Sequence, residues 1–272
     1  MIGQAIQCSA NNGLFSDADV PTSQAVYIDP YTAARLIKDN FQELQAGTPF
    51  SSGNKVDIGQ RVSMQCIVEG NPRPVVFWKL RKSNGQVIQT QQAPGVIRLN
   101  AQCDLQISNY SYSGQYWCSA CSYVSQGYPE CSPSLEQAPD RVLNVQVQGV
   151  PMESDMETTV EQYDAQNTAA VQVHYCSDPM PKPPREVTFS IDGNDIQMGQ
   201  NWHNFYFEGT TQNNTVPNCF FARLRISPIH DDDQSRQIVL KLQNQYGAKQ
   251  IPVHLADLLG SGSSELSGAP HG

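Results

Sequence analysis

The chain has 272 residues, of which 39% are hydrophobic and 16% are charged. This length suits two domains of ordinary size, and the composition excludes a disordered acidic tail. The formal charge of −9 and the scatter of the 17 basic residues argue against a nucleic-acid partner, which needs clustered Lys and Arg. No apolar run approaches the length of a membrane helix.

Residues 1–48 precede the first strand-rich region and form an N-terminal extension with one short predicted helix. Asp29 is a suitable N-cap, and Pro30 suits the first helical position. Four apolar residues then share one helical face before Gly47, a residue that ends helices: Leu36, Ile37, Phe41 and Leu44. The pattern predicts a helix over about residues 30–46. We interpret the extension as an appendage packed on the first domain rather than as a separate contact arm.

The next region reads as a series of short strands around two cysteines and a tryptophan. Val62, Met64 and Cys66 alternate with polar residues, which places them on one inward face of a strand. Trp78 lies in a second apolar run, and Cys118 ends a third. Predicted strands cover residues 61–67, 75–81, 96–99, 103–108, 114–121 and 141–147.

These residues resemble the immunoglobulin superfamily, and within it the I-set. The matching positions are Gly70, Pro72, Pro74, Trp78, Leu105, Ile107, Gly114, Tyr116 and Cys118. One departure is Tyr112, where the family usually carries Asp. The resemblance implies a β-sandwich over residues 49–149, with Trp78 packed on a Cys66–Cys118 disulfide that joins its two sheets.

Residues 150–257 repeat this layout more loosely and predict a second, divergent immunoglobulin-like sandwich. Leu240 occupies the position of the second cysteine, and Ile238 that of the corner tyrosine. By strand parity Tyr175 takes the first cysteine position, and Val187 or Phe189 replaces the tryptophan. A fibronectin type III-like sandwich is the alternative. Residues 258–272 are rich in Gly and Ser and are expected to be a flexible tail. The predicted fold class is therefore all-β, with two tandem sandwiches.

Eight cysteines and two N-x-[ST] sequons, at Asn109 and Asn213, favour disulfides, N-glycosylation and an extracellular location. Parity turns Cys176 and Cys219 away from the second core, on strands that are neighbours in this topology, so we predict a disulfide on the outer face. The long connection between Cys118 and Arg141 corresponds to the F–G loop of an immunoglobulin domain, and a Cys121–Cys131 disulfide is expected to staple it. That leaves Cys8 to pair with Cys103, while pairing of Cys8 with Cys121 or Cys131 stays open.

No catalytic chemistry emerges from the sequence. Cys118 and Cys121 form a C-x-x-C, but a zinc or redox site conflicts with the disulfide expected of Cys118. The run His230–Asp233 lacks the spacing and the glycine of a tight calcium loop. Nucleophile, metalloprotease and phosphate-loop motifs are absent from the sequence. We therefore predict that the protein is not an enzyme and holds no metal and no cofactor.

A binding face is predicted on the C–F–G sheet of the first domain. Because Trp78 points inward, Phe77 points outward, and by the same parity Trp117 points outward beside Cys118. Exposed aromatic patches mark interaction sites, and the adjacent F–G loop adds Tyr123, Val124 and Tyr128. The competing interpretation is that this loop folds back and covers Trp117.

The predicted function is extracellular protein recognition, as cell adhesion or receptor–ligand binding. The expected partner is another cell-surface or secreted protein, or a second copy of the chain. We expect membrane attachment only through a C-terminal anchor that this chain does not contain. The alternative is a set of structural I-set modules from an intracellular filament protein, although a cytosolic module has no use for paired thiols or glycans.

Overall fold

The computed structural model describes residues 4–14, 16, 19–47, 50, 53–94, 99–123, 129–163, 167–214, 216 and 218–260. Within these residues the chain is mostly β-strand, with two short helices. None of the described helices is long and apolar enough to cross a membrane. The chain begins with a two-stranded antiparallel ribbon of β1 (Ala5–Ile6) and β2 (Val26–Tyr27).

Two sheets form the first sandwich. One has the order β3-β5-β8, and the other joins β4, β11, β9, β6 and β7, with β10 paired to β9. The elements are β3 (Thr32–Asp39), α1 (Phe41–Ala46), β4 (Lys55–Asp57), β5 (Arg61–Asn71), β6 (Val75–Arg81), β7 (Val87–Pro94), β8 (Leu99–Gln106), β9 (Gly114–Ser122), β10 (Glu130–Ser132) and β11 (Leu143–Glu153). Residues 96–98 of one predicted strand lie outside the described residues.

The core of this sandwich confirms the predicted pattern. Burial alternates along β5, where Val62, Met64 and Cys66 are fully buried between the sheets. Trp78 is fully buried, and the Cys66–Cys118 disulfide links the two sheets with a Cα–Cα distance of 6.8 Å. The resulting apolar cluster is continuous through the domain, which explains why these residues alternate as they do.

The predicted helix over residues 30–46 is wrong in its first half. Residues 32–39 form β3, which pairs antiparallel with β5, so that Arg35 lies opposite Glu69. The open edge of β5 offers these residues backbone hydrogen bonds, and this tertiary pairing outweighs the helical periodicity. The helix α1 begins at Phe41, whose N–H donates to Asp39 Oδ1 at 3.0 Å. Part of the supposed extension is therefore a strand of the first sandwich.

A single long strand, β11, runs from the first sandwich into the second. Its first half pairs with β9, with Leu143 opposite Tyr116, and its second half pairs with β13 (Thr168–Asp178). The ladder shifts register after Gly149, which has φ +157°. A Cβ on Gly149 would lie 2.9 Å from Ile58 Cδ1, and other residues rarely adopt this positive φ, so glycine is favoured where the strand changes domain.

In one sheet of the second sandwich the strand order is β16-β17-β18-β13, and both β12 and the second half of β11 pair with β13. The facing sheet has the order β15-β14-β19-β20. Its elements are β12 (Thr159–Tyr163), β13, β14 (Val187–Ile191), β15 (Asn194–Gln197), β16 (Asn201–Trp202), β17 (Phe205–Gln212), β18 (Cys219–Ile226), β19 (Ile238–Asn244), β20 (Gly247–Val253) and α2 (Leu255–Gly260). The order β12-β13-β18-β17 corresponds to strands A, B, E and D of an immunoglobulin domain. The all-β fold with two tandem immunoglobulin-like sandwiches is as predicted.

The second core is held by apolar packing. Tyr175, Phe189 and Leu240 are all fully buried, and Phe189 lies directly opposite Leu240 in the ladder. The sequence predicts Tyr175 and Leu240 at the two cysteine positions and Val187 or Phe189 at the tryptophan position, and all four side chains face the core. No disulfide crosses the described part of this core, so hydrophobic burial replaces it.

Candidate functional site

The predicted aromatic face is covered. Trp117 is 1% exposed and Phe77 is 8% exposed, so they form no open patch. The indole N–H of Trp117 donates to the carbonyl oxygen of Ser134 at 3.1 Å, and Ser119 Oγ donates to the same oxygen at 3.2 Å. As parity predicts, Trp117 and Trp78 point to opposite faces of the sheet. The chain that follows β10, at Ser134, covers the face on which Trp117 lies. The prediction of an exposed face at Phe77 and Trp117 is wrong.

The F–G loop keeps one predicted contact residue at the surface. Tyr123 is 52% exposed at the end of β9. Val124 and Tyr128 lie outside the described residues, so their placement stays a prediction. Below Tyr123 the Cys121–Cys131 disulfide closes the hairpin, with a Cα–Cα distance of 4.1 Å and the two cysteines opposite each other in the ladder. The predicted staple is confirmed.

The N-terminal strand contributes a residue that sequence reasoning missed. Tyr31, which is 45% exposed, donates its hydroxyl hydrogen to Glu130 Oε2 at 2.9 Å. Three residues later, in β3, the N–H of Ala34 donates to Ser122 Oγ at 2.9 Å. The hydrogen bond to the Glu130 carboxylate raises the pKa of Tyr31, because loss of the phenolic proton would remove that bond. The N-terminal segment thus joins the F–G hairpin.

The connection between β5 and β6 lies at the same end of the sandwich as the F–G hairpin. Val75 lies opposite Cys121 in the β6–β9 ladder, which brings residues 71–75 beside the hairpin. The amide nitrogen of Asn71 donates to Asp29 Oδ1 at 2.5 Å and to the carbonyl of Pro30 at 2.8 Å, and so fixes the start of the N-terminal strand. We call the surface formed by Tyr31, Tyr123 and Glu130 the distal surface. Tyr31 has this role because residues 32–39 form a strand and not part of the predicted helix over residues 30–46.

All eight cysteines lie within the described residues, and three disulfides join six of them. The predicted Cys8–Cys103 bond is wrong. Cys103 lies on β8, opposite Met64 of β5, and is fully buried between the sheets. Cys8, in contrast, is exposed on the N-terminal ribbon. Burial raises the pKa of the Cys103 thiol to about 11, which makes it an inert apolar side chain.

The Cys176–Cys219 disulfide is confirmed as a bond between neighbouring strands, with a Cα–Cα distance of 3.9 Å. Its environment differs from the predicted open face. Both cysteines turn away from the second core, but they are only 6% and 2% exposed because they pack against the first domain's apolar cluster. The disulfide therefore belongs to the junction between the domains.

Tyr110 is the polar centre of this junction. Its hydroxyl lies 3.0 Å from the carbonyl oxygen of Gly149 and 2.9 Å from that of Val150, and it accepts from the N–H of Asp178 at 3.1 Å. Burial raises the pKa of Tyr110 to about 12. Asn244 completes the junction by donating to the Gly149 carbonyl at 2.7 Å. These buried bonds hold the end of one sandwich against the next.

The two predicted glycosylation sites lie near this junction. Asn109 precedes a 3₁₀ turn (Tyr110–Tyr112), and its Oδ1 accepts from both the N–H and the hydroxyl of Ser111, at 2.9 and 2.5 Å. Asn213 follows β17, and its amide nitrogen lies 3.1 Å from Met156 Sδ. Both asparagines are partly exposed, as acceptors of a glycan must be.

The acidic run at residues 230–233 closes a corner of the second domain. Asp233 is buried and accepts from the Asn204 amide at 2.7 Å and from the His230 N–H at 2.8 Å, and it also pairs with Arg236. Its oxygens are thus occupied by protein donors. Across the described ranges, no three His, Cys, Asp or Glu side chains gather in a way that could hold a metal ion.

Comparison with known proteins gives one match to a family model and several solved structures with low identity. Residues 48–121 match the family model of the immunoglobulin domain. Among solved structures, a marsupial T cell receptor has 11% identity, covering 82% of this chain and 96% of the receptor chain, with a TM-score of 0.33. A structure described as an anomalous substructure of titin has 15% identity, covering 73% of this chain and 91% of the other, with a TM-score of 0.33.

Proposed function

We propose that this chain, whose first domain belongs to the immunoglobulin superfamily, is an extracellular recognition protein that binds another protein through the distal surface of that domain. The observation that carries the proposal is the bond between Tyr31 and Glu130, which joins the N-terminal strand to the stapled F–G hairpin beside the exposed Tyr123. Recognition by the distal surface replaces the covered Phe77 and Trp117 face.

The three disulfides support an extracellular location. Disulfides persist in oxidising compartments and are rare in the cytosol, where thiols are kept reduced. The alternative of intracellular filament modules gives no role to a disulfide that staples a loop of ten positions, such as Cys121–Cys131. An extracellular protein gains from this staple. Closing a loop of this length lowers the entropy of the unfolded chain and so stabilises the folded state by roughly 2.5–3 kcal/mol.

The distal surface has the features of a binding site for a protein. Tyr31 and Tyr123 are large, half-exposed aromatic side chains on backbone that is held by hydrogen bonds and a disulfide. Rigid tyrosines bury much area at low entropic cost and are enriched among binding hot spots. The hydroxyl of Tyr31 holds Glu130, an exposed carboxylate, in one place.

Charge favours a different protein over a second copy of the chain. The net charge of −9 makes two copies repel one another, whereas it attracts a partner with a basic surface, and the exposed carboxylate of Glu130 is available to pair with such a partner. The partner expected on this basis is a cell-surface or secreted protein with Lys or Arg beside an apolar recess that accepts a tyrosine ring.

The test begins with secretion of the full chain and a non-reducing peptide map that scores the three disulfides. The secreted protein, made multivalent, is then screened against a panel of extracellular domains, and the affinity for any binder is measured with variants. Tyr123→Ala and Tyr31→Ala are expected to weaken binding about thirtyfold each, as for hot-spot residues. Tyr246→Ala is the matched control, because Tyr246 is a 40% exposed tyrosine of the second domain.

Two results would contradict the proposal. Reduced cysteines in the secreted chain would remove the support for an extracellular location. Wild-type affinity in both distal variants, with a loss in Tyr246→Ala, would move the binding surface to the second domain.

A further inference from the structure

A cleft of about 240 Å³ separates the two domains beside the Cys176–Cys219 disulfide. The first domain lines it with Lys82, Asn84, Asn109 and Ser111, and the second with Met152, Glu153, Asp155, Met156 and Val216. This volume is somewhat below the range of typical small-molecule sites, about 300–1,000 Å³. The cleft is large enough for one small polar ring and has no role in the recognition surface described above.

The lining suits a sugar. Met152, Met156 and the disulfide offer flexible, polarisable surface that packs against the C–H groups and the acetyl methyl of an N-acetylglucosamine. Lys82, Glu153 and Asp155 add hydrogen-bond donors and acceptors to the lining, and the hydroxyl groups of a sugar ring need such partners.

The wall of the cleft also contains a residue to which a sugar can be attached. Asn109 lies in its wall and begins the sequon Asn109-Tyr110-Ser111. Both bonds to Ser111 use Asn109 Oδ1, and Nδ2 makes no hydrogen bond to the described residues. The other sequon differs, because the amide nitrogen of Asn213 points at Met156 Sδ. Asn109 is therefore the better placed acceptor.

We propose that Asn109 carries an N-linked glycan whose first N-acetylglucosamine sits in this cleft and braces the two domains. This inference rests on the proposed extracellular function, because N-glycosylation requires entry into the secretory pathway. A sugar attached to the wall of the cleft is present at a high effective concentration, so weak contacts with the far wall are enough to seat it. The brace adds to the buried bonds of Tyr110 and orients the distal surface relative to the second domain.

Hydrogen exchange on the secreted full chain tests the inference. The protein is made in cells that attach only high-mannose glycans and is compared in three forms: untrimmed, trimmed by an endoglycosidase to one N-acetylglucosamine, and fully deglycosylated by an amidase. Residues 152–156 are expected to exchange equally slowly in the first two forms and at least about tenfold faster in the third. The trimmed form separates the first sugar from the rest of the glycan.

Variants supply the controls. The amidase converts Asn109 to aspartate, so Asn109→Asp and Asn109→Gln are both measured, and each is expected to match the deglycosylated form. Ser111→Thr keeps the sequon and is expected to retain slow exchange. Asn213→Gln removes the other sequon and is expected to change nothing at residues 152–156.

Three outcomes would overturn the inference. If Asn109 is unglycosylated in a secreted chain with its three disulfides, the sugar brace is excluded and the extracellular function stands. If Asn109 is glycosylated but exchange at residues 152–156 is the same in all three forms, the sugar lies outside the cleft. Retention of the chain in the cytosol with free thiols would overturn both proposals.

Discussion

The backbone N–H of Asp178, in the second sandwich, donates to the hydroxyl oxygen of Tyr110, in the first, across 3.1 Å. The same hydroxyl lies within hydrogen-bond distance of the Gly149 and Val150 carbonyls, on the strand that both domains share. One phenol thus joins three backbone groups at the junction. This arrangement gives the 3₁₀ turn at Tyr110–Tyr112 a role in the relation between the domains.

Replacing this tyrosine tests the strength of the junction. In Tyr110→Phe the N–H of Asp178 and one carbonyl lose their buried partner, so the free energy of unfolding is expected to fall by about 1–3 kcal/mol. Denaturant unfolding followed by fluorescence measures it. Tyr123→Phe, at an exposed position, is expected to stay within about 0.5 kcal/mol of wild type. Equal stability of the two variants would show that the phenol contributes nothing.

Trp117 is expected to behave as a core residue. Because it is 1% exposed and its N–H is bonded to Ser134, Trp117→Ala is predicted to lower the free energy of unfolding by about 3–5 kcal/mol. Tyr123→Ala is the comparison and is expected to leave stability within about 0.5 kcal/mol. A Trp117→Ala protein with wild-type unfolding would mean that the returning chain does not cover the indole.

The two unpaired cysteines are expected to differ in reactivity. Cys8 is exposed, while Cys103 is buried with its pKa raised to about 11. A thiol reagent at pH 8 should therefore modify Cys8 in the folded protein and Cys103 only after unfolding, since the thiolate is the reactive form. Mass analysis of peptides identifies each site. Rapid modification of Cys103 in the native protein, or linkage of Cys8 to Cys103, would contradict this expectation.

His174 predicts a pH dependence of stability. Burial lowers its pKa, and its Nδ1 lacks a hydrogen-bond partner among the described residues. The unfolded chain therefore binds more protons than the native state near the unfolded pKa of about 6.5, and stability falls as the pH decreases below that value. Melting temperatures at pH 7.5 and 5.5 measure the loss. His174→Leu should reduce it, whereas His254→Gln, at an exposed position, should leave it unchanged.

Strand parity predicted direction correctly in several places. It places Tyr175 in the second core and Cys176 outside it, and it predicts the Cys176–Cys219 disulfide that the structure contains. It also turned Trp117 away from the side of Trp78. These predictions hold because successive side chains of a strand point to opposite faces, whatever the strand packs against.

Parity does not say what lies over an outward face. The carbonyl of Ser134 returns to cover Trp117, and the first domain covers the Cys176–Cys219 disulfide. Both contacts come from chain that is distant in sequence or belongs to another domain, and no local pattern encodes them. Parity alone therefore predicts a binding site at the covered face and does not indicate the distal surface around Tyr31.

The sequence by itself predicted which side chains of each strand face inward, because burial periodicity is a local property of a strand. Its resemblance to immunoglobulin domains implied the two sandwiches and the Cys66–Trp78–Cys118 core, and the spacing of Cys121 and Cys131 predicted the staple. Only the tertiary structure decided that residues 32–39 form a strand and that Tyr31 reaches Glu130. The physical reason is the same in both cases. A segment with mixed periodicity takes the conformation whose backbone hydrogen bonds a neighbouring element supplies, and that neighbour is known only once the chain has folded.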